Sequence, residues 1–224
     1  DGDEDKTREL QWYAQGDYNY ANRYYLTAGL SAHASSRFGD AGNGLKVAGV
    51  MWGLFPSLEA AWVLSNERWL AGTPGIDYLR LSLGFDESGN DDIDPTAARS
   101  YFVSHRMLRS TVTGLSIGNI GNAELQWETT RRLTAGLEGN FLHNRLNVRL
   151  NVFKSWTNNL LTLSQLAWTS GLQQNWGNGG KLENAGFDVK AGVKVLNLRN
   201  FRWEMGASAG HYKNKVTALP DNDR

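Results

Sequence analysis

Cysteine is absent from the 224 residues, which excludes disulfides, thiolate zinc sites and cysteine nucleophiles. The compartment stays open, because an oxidising environment permits disulfides without demanding them. Histidine numbers only four, which leaves little for a metal cluster. An excess of either charge is missing too: 23 Lys and Arg stand against 23 Asp and Glu, net zero, with a pI near 7.1. Nothing basic enough is present to follow a phosphate backbone, so nucleic acid is not an expected partner. Long apolar runs are lacking, since no stretch approaches the ~18–20 residues of a membrane helix. The opening Asp1-Gly2-Asp3-Glu4-Asp5 is acidic where a secretory leader is basic and then apolar. A mean hydropathy of −0.47 is still compatible with a membrane β-barrel, whose strands are apolar only at alternate positions. Four prolines against 25 glycines, with 9 Trp, 8 Tyr and 8 Phe, describe long strands, tight turns and aromatic belts.

What is present is period-2 alternation from end to end. Leu26, Ala28, Leu30 and Ala32 alternate with Thr27, Gly29, Ser31 and His33, and Leu79, Leu81, Leu83 and Phe85 with Arg80, Ser82, Gly84 and Asp86. Leu133, Ala135, Leu137 and Phe141 oppose Arg132, Thr134, Glu138 and Asn140, while Leu146, Val148, Leu150 and Val152 oppose Asn147, Arg149 and Asn151. Phe187, Val189, Ala191, Val193 and Val195 oppose Asp188, Lys190 and Lys194; Phe201, Trp203, Met205, Ala207 and Ala209 oppose Arg202, Glu204 and Ser208. Less regular strands are expected at 10–20 and 56–64.

A soluble sandwich alternates in the same way, so period alone does not place the chain in a bilayer. Two features favour a membrane barrel. The segments pass ten residues, enough to cross hydrocarbon at a tilt, whereas strands of soluble proteins average ~5–6 residues. Connections also alternate: 21–23, 143–145 and 197–200 are tight turns, whereas 37–52, 87–126 and 161–182 are long, the pairing of short periplasmic turns with long external loops. Tyr18, Tyr20, Tyr24 and Tyr25 flank the first turn and Phe201 and Trp203 follow the last, where interface girdles belong. The expectation is an all-β, antiparallel fold of about eight long strands forming part of a large transmembrane β-barrel, with residues 1–224 as a single barrel segment. Residues 218–224 stop where another strand is expected, so the chain is expected to be a piece of something larger.

Ordered motifs sharpen this. Asn22-Arg23-Tyr24-Tyr25-Leu26 is followed by Ser35-Ser36-Arg37-Phe38-Gly39, then by Trp52-Gly53-Leu54-Phe55-Pro56-Ser57 and Ala60-Ala61-Trp62-Val63-Leu64-Ser65-Asn66-Glu67. Leu79-Arg80-Leu81-Ser82-Leu83-Gly84, Leu125-Gln126-Trp127-Glu128-Thr129-Thr130, Asn144-Arg145-Leu146 and Leu182-Glu183-Asn184-Ala185-Gly186-Phe187-Asp188 come next. This series resembles the carboxy-terminal half of the barrel of SusC/RagA-type TonB-dependent outer-membrane transporters. Ala32-His33-Ala34 and Phe85-Asp86-Glu87 depart from the pattern at lumen or loop positions, which bears on substrate rather than fold. The resemblance implies a cell-outer-membrane importer of oligosaccharide or peptide. It also implies a SusD-like surface lipoprotein partner, TonB acting through a plug region outside this segment, a setting of outer-membrane lipid, and no cofactor.

Candidate residues follow. Arg80, Arg132, Glu138, Arg149, Lys190 and Lys194 share the polar parity, where they would face a lumen and meet solute, or salt-bridge instead. Trp168 and Trp176, near Gly177-Asn178-Gly179-Gly180, could stack a sugar or peptide, or pack against loops. Asp86, Glu87, Asp91, Asp92 and Asp94 form an acidic run that is a weak calcium candidate, since its spacing fails the EF-hand template. Gly114-Leu115-Ser116-Ile117-Gly118 matches the G-x-S-x-G elbow of serine hydrolases, with His105 or His143 as base, but lacks the helix that must follow. A loop rich in small residues is the expectation there. No catalytic residue and no enzyme activity are expected. The rival to an importer segment is a self-contained eight-stranded barrel with an anchoring role. Gly29, Gly84, Gly136 and Gly192, at polar-parity positions, are too small to fill so narrow an interior.

Overall fold

A computed structural model describes residues 6–39, 41–42, 44–106, 113–166, 169 and 174–219. Eight strands of 12 to 18 residues form one antiparallel sheet: β1 (Glu9–Tyr20), β2 (Tyr24–Ser35), β4 (Val50–Val63), β5 (Ile76–Asn90), β8 (Glu128–Phe141), β9 (Leu146–Asn158), β12 (Lys181–Leu198) and β13 (Phe201–Ala218). Each pairs with the next in that order, and short β3 (Leu45–Val47) pairs with β4. β1 and β13 lie at opposite ends of the sheet and do not pair, so the self-contained eight-stranded barrel is overturned: closure would need that last ladder. Three of the four small residues on the polar face, Gly29, Gly84 and Gly136, serve close approach. A Cβ at Gly84 would stand 2.5 Å from Thr134 Oγ1 and one at Gly136 2.7 Å from Ser82 Oγ.

Two of the three tight turns are built from left-handed residues. Ala21 and Asn22 sit at φ 54° and 53°, closed by the Arg23 N–H on Tyr20 O at 3.0 Å, and Leu142, His143 and Asn144 all lie near φ 58° (57°, 59° and 57°). Primed turns of this kind match the twist of the strands they join. The β4–β5 connection at the same end is longer, spanning 64–75 and opening with a single 3-10 turn at Leu64–Asn66.

Three expectations about the other end change. β4 begins at Val50 and β5 runs to Asn90, both inside stretches read as loop, because Met51 and Phe55 on the polar parity of β4 and Glu87 on the apolar parity of β5 obscure the alternation there. The connection read as loop 87–126 carries the hairpin β6 (Tyr101–Arg106) with β7 (Thr113–Asn119), and 161–182 carries β10 (Leu161–Gln165) with β11 (Gln174–Asn178). Gly114 to Gly118 therefore lie in strand β7 rather than in a small-residue loop, and Ser116 pairs with Val103.

Cross-strand register shows how the sheet meets a bilayer. Tyr20 is in a row with Tyr24, Trp62, Leu81, Leu137, Leu150, Val189 and Ala209, all on the apolar face. On β13 Ala209 is the last apolar residue of that face before His211 and Lys213, whereas on β1 the corresponding position, Leu10 before Arg8, lies ten residues beyond Tyr20. Ten residues are roughly 33 Å of strand, and seven strand spacings are roughly 34 Å. The upper edge of the apolar belt thus crosses the ladder at about 45°, close to the tilt of strands in outer-membrane barrels. A level membrane surface requires that slant.

Candidate functional site

The polar face carries a graded set of charges. Arg80, Glu138, Arg149 and Lys190 occupy one register row on β5, β8, β9 and β12. Arg149 Nη2 donates to Glu138 Oε1 at 2.8 Å, and Arg80 Nη2 to Glu59 Oε1 at 3.0 Å, with every one of these side chains at least 30% exposed. Pairs so open are worth under ~1 kcal/mol each, and they act by ordering the wall rather than by holding it together. Asp86 stands directly opposite Arg132, and Lys194 opposite Glu204, the latter pair bordering a recess of about 490 Å³ with Asn140 and Asn147 near the short turns. All six predicted wall residues therefore share a face. Glu59 also lies on this face; it was missed in the sequence because its neighbours on the same face of β4, Ala61 and Val63, are apolar.

Over the long-loop end of this face the connections fold into a small core. Phe38, Met51, Phe55, Ile93, Ala97, Leu125 and Trp127 are buried together, with Leu161 and Trp176 packed against them. Ring centroids of Phe38 and Trp127 are 4.9 Å apart and those of Phe55 and Trp127 5.4 Å, with His33 edge-on to Phe55. Phe55 belongs to the polar parity of β4, so alternation gave no hint of its burial. Asn178 latches two connections: its amide accepts from Gln126 N at 2.8 Å and donates to Gln126 O at 2.8 Å and Asn159 O at 2.9 Å. Glu128 Oε2 accepts the Leu161 N–H at 2.9 Å. Trp176 thus helps build the roof, while Trp168 lies outside the described residues.

The acidic run does not converge. Asp91 pairs with Arg37 at 3.6 Å and Asp94 accepts from Thr96 N at 2.8 Å, while Asp92 uses its own N–H on Asn90 Oδ1. Among the described residues no three His, Asp or Glu side chains gather as metal ligands. Ser116 and His143 stand at opposite ends of the strands, and no helix follows β7 among the described residues, so no nucleophile elbow is assembled.

At the short-turn end one carboxylate collects donors. Glu67, nearly buried, accepts from Tyr24 Oη at 2.7 Å and Trp62 Nε1 at 3.1 Å, and lies 3.5 Å from Arg23 Nη1. Those hydrogen bonds, Tyr24's first, with Arg23's charge, hold its carboxyl below the usual carboxylate range against the opposing effect of desolvation. Tyr20, Tyr24 and Trp62 stack above it with centroids 6.4 and 6.0 Å apart. Tyr25 departs from the expected girdle, since it opposes Asn19 and Ala61 on the polar face.

A profile of the family described as "TonB dependent receptor-like, beta-barrel" matches residues 1–224. The chain belongs to this family. TonB-dependent receptor P39 of Formosa agariphila is 26% identical over 211 residues, covering 94% of this chain and 20% of that receptor. TonB-dependent receptor SusC of Bacteroides thetaiotaomicron is 26% identical over 221 residues, 96% of this chain and 21% of SusC. The RagAB peptide transporter superposes with a TM-score of 0.86 over 96% of this chain and 23% of the matched one, at 20% identity. The chain spans about a fifth of the length of the curated relatives it matches. As part of a TonB-dependent receptor-like barrel it is an outer-membrane element, and its apolar face is the lipid face.

Proposed function

We propose that this chain forms part of the wall and outer-loop roof of an energised nutrient importer of the outer membrane, taking up oligosaccharide or peptide. The match of the barrel family to every residue carries the reading, and similarity to SusC and to the RagAB peptide transporter supports it. A SusD-like surface lipoprotein would close over the long loops, and TonB would act through a plug elsewhere in the receptor. Arg132, Lys190 and Lys194 are the side chains offered to solute, while Arg80, Glu138 and Arg149 chiefly brace one another. The segment has no catalytic residue and supplies no covalent chemistry. Its own share in transport is to shape and charge one side of the lumen.

Uptake of labelled solute by cells carrying the complete receptor tests this. Deleting 161–182 is expected to weaken capture by removing β10, β11 and Trp176, and Ser116→Ala to leave uptake unchanged. Loss of uptake in Ser116→Ala, at normal membrane levels, would restore a hydrolase reading.

A further inference from the structure

Phe153 is an apolar ring on the polar parity of β9, in line with Asn147, Arg149, Asn151, Ser155 and Thr157. It is half-buried and is not among the buried residues of the roof core. Its cross-strand neighbours are Thr134 on β8 and Gly186 on β12, and beyond Gly186 stands Tyr212 on β13, 67% exposed on the same face. A Cβ at Gly186 would stand 2.9 Å from Phe153 Cε1 and 2.8 Å from Tyr212 Cβ, so the Phe153 ring reaches over bare backbone toward Tyr212. Two strand spacings, roughly 10 Å, separate the two aromatic positions. Polar groups border this strip. One row nearer the roof lie Arg132, Ser155 and Asn184, whose Oδ1 is buried without a donor. One row toward the short turns, Asn151 Nδ2 donates to Asp188 Oδ1 at 3.1 Å. Ser155 and Thr157 are buried, so Phe153 is the first residue on this face of β9 left partly open beneath the roof.

We propose that this strip is a sugar-stacking subsite of the lumen wall, in which a pyranose lays its C–H face on Phe153 above Gly186 and turns its hydroxyls to Asn184, Asp188 and Arg132. The proposal rests on the import reading and narrows its solute to an oligosaccharide. Chemistry makes the choice. A phenyl ring on the polar face of a barrel wall is unfavourable surface until something apolar covers it. An apolar protein side chain laid there would leave Asn184 Oδ1 without a donor and strip water from Asp188, which is costly. A sugar answers both needs at once. Its C–H groups cover the ring, its O–H groups donate to the two acceptors, and its hydroxyl oxygens accept from the Arg132 guanidinium. A peptide of mixed sequence stacks only where an aromatic or proline residue falls, whereas every unit of a glycan carries this pairing of C–H face and hydroxyl edge. The strip also lies where a chain passing under the roof first meets open wall, and Tyr212 extends the stacking surface to a second sugar unit.

Binding of the complete receptor in detergent to immobilised panels of neutral oligosaccharides (gluco-, manno- and xylo-oligosaccharides) and of short peptides tests this. Capture by a neutral oligosaccharide is expected, and Phe153→Ala and Asn184→Ala should each weaken it about tenfold. Phe153→Trp should keep most of it, and Leu150→Ala, on the lipid face of the same strand, should leave it unchanged. Capture by peptides alone, by neither class, or by sugar as strongly in Phe153→Ala as in wild type would overturn the proposal. A lower thermal midpoint of solute-free Phe153→Ala with sugar capture intact would do the same, since it would assign the ring to packing against the plug. Uptake of labelled peptide unaffected by Phe153→Ala would remove the sugar subsite and leave import standing, whereas uptake of no solute by cells carrying the receptor would sink the import reading itself.

Discussion

Glu67 shows how much one side chain can organise at the edge of a membrane barrel. A lone carboxylate near hydrocarbon is costly, yet this one receives a phenol, an indole and a guanidinium, and those donors orient the stacked rings of Tyr24 and Trp62. Because its folded-state pKa is lowered, its contribution is fully present above the unfolded value near ~4.3 and is lost as pH falls through the lowered folded value. Glu67→Gln should therefore lower the thermal midpoint of the receptor at neutral pH. The gap between wild type and variant should close when both are melted in acid below the folded value, and a gap that persisted there would assign the loss to packing. Tyr20 and Tyr24 were legible as aromatics beside a turn, whereas the stacking of Trp62 on them was not. Glu67 was not, since it lies five residues past Trp62 in a connection, and only folding of 64–75 back under the rings brings it there.

Elements were legible to the extent that alternation is. Period 2 names the two faces, so the parity of Leu133, Leu137, Leu146, Val148, Leu150, Val189 and Val193 against Glu138, Arg149 and Lys190 came out of the sequence and is kept in the ladder. Spin labels at Leu150 and Arg149 should divide accordingly, with lipid-soluble oxygen broadening the first and a water-soluble nickel chelate the second; the reverse would mean a slip of one register. Alternation does not say what covers a face. Phe55 and Trp127 look like ordinary members of a strand and a loop, and their burial comes from residues 38, 93, 97 and 125, which only the folded connections bring near. The Asn178 latch holds two such connections, and Asn178→Ala removes three hydrogen bonds and leaves the Gln126 backbone groups without these partners. A local cost of about 1–3 kcal/mol is expected. Proteolysis of intact cells should then cut within 159–180 faster than in wild type, with the transmembrane strands unaffected.

At the scale of the whole molecule, the slant of the belt and the unequal connections give the chain a direction across the membrane. Turns at 21–22 and 142–144 are closed by left-handed residues with no room for a folded excursion, whereas the opposite end carries two extra hairpins and a packed aromatic roof. Large loops with their own core belong on the outer side of such barrels and tight turns in the periplasm. These 224 residues contain no cysteine, so a single cysteine placed in them is the segment's one maleimide site, read against the receptor without it. Gln165, exposed at the end of β10, and His143, exposed in the β8–β9 turn, are suitable sites. In intact cells a membrane-impermeant maleimide should label Gln165→Cys and leave His143→Cys untouched until lysis. The opposite result would invert the sheet, placing the roof of Phe55 and Trp127 in the periplasm and the row of Arg80, Glu138, Arg149 and Lys190 nearer the cell surface, and the proposed roles of these loops in solute capture and lipoprotein docking would fall with it.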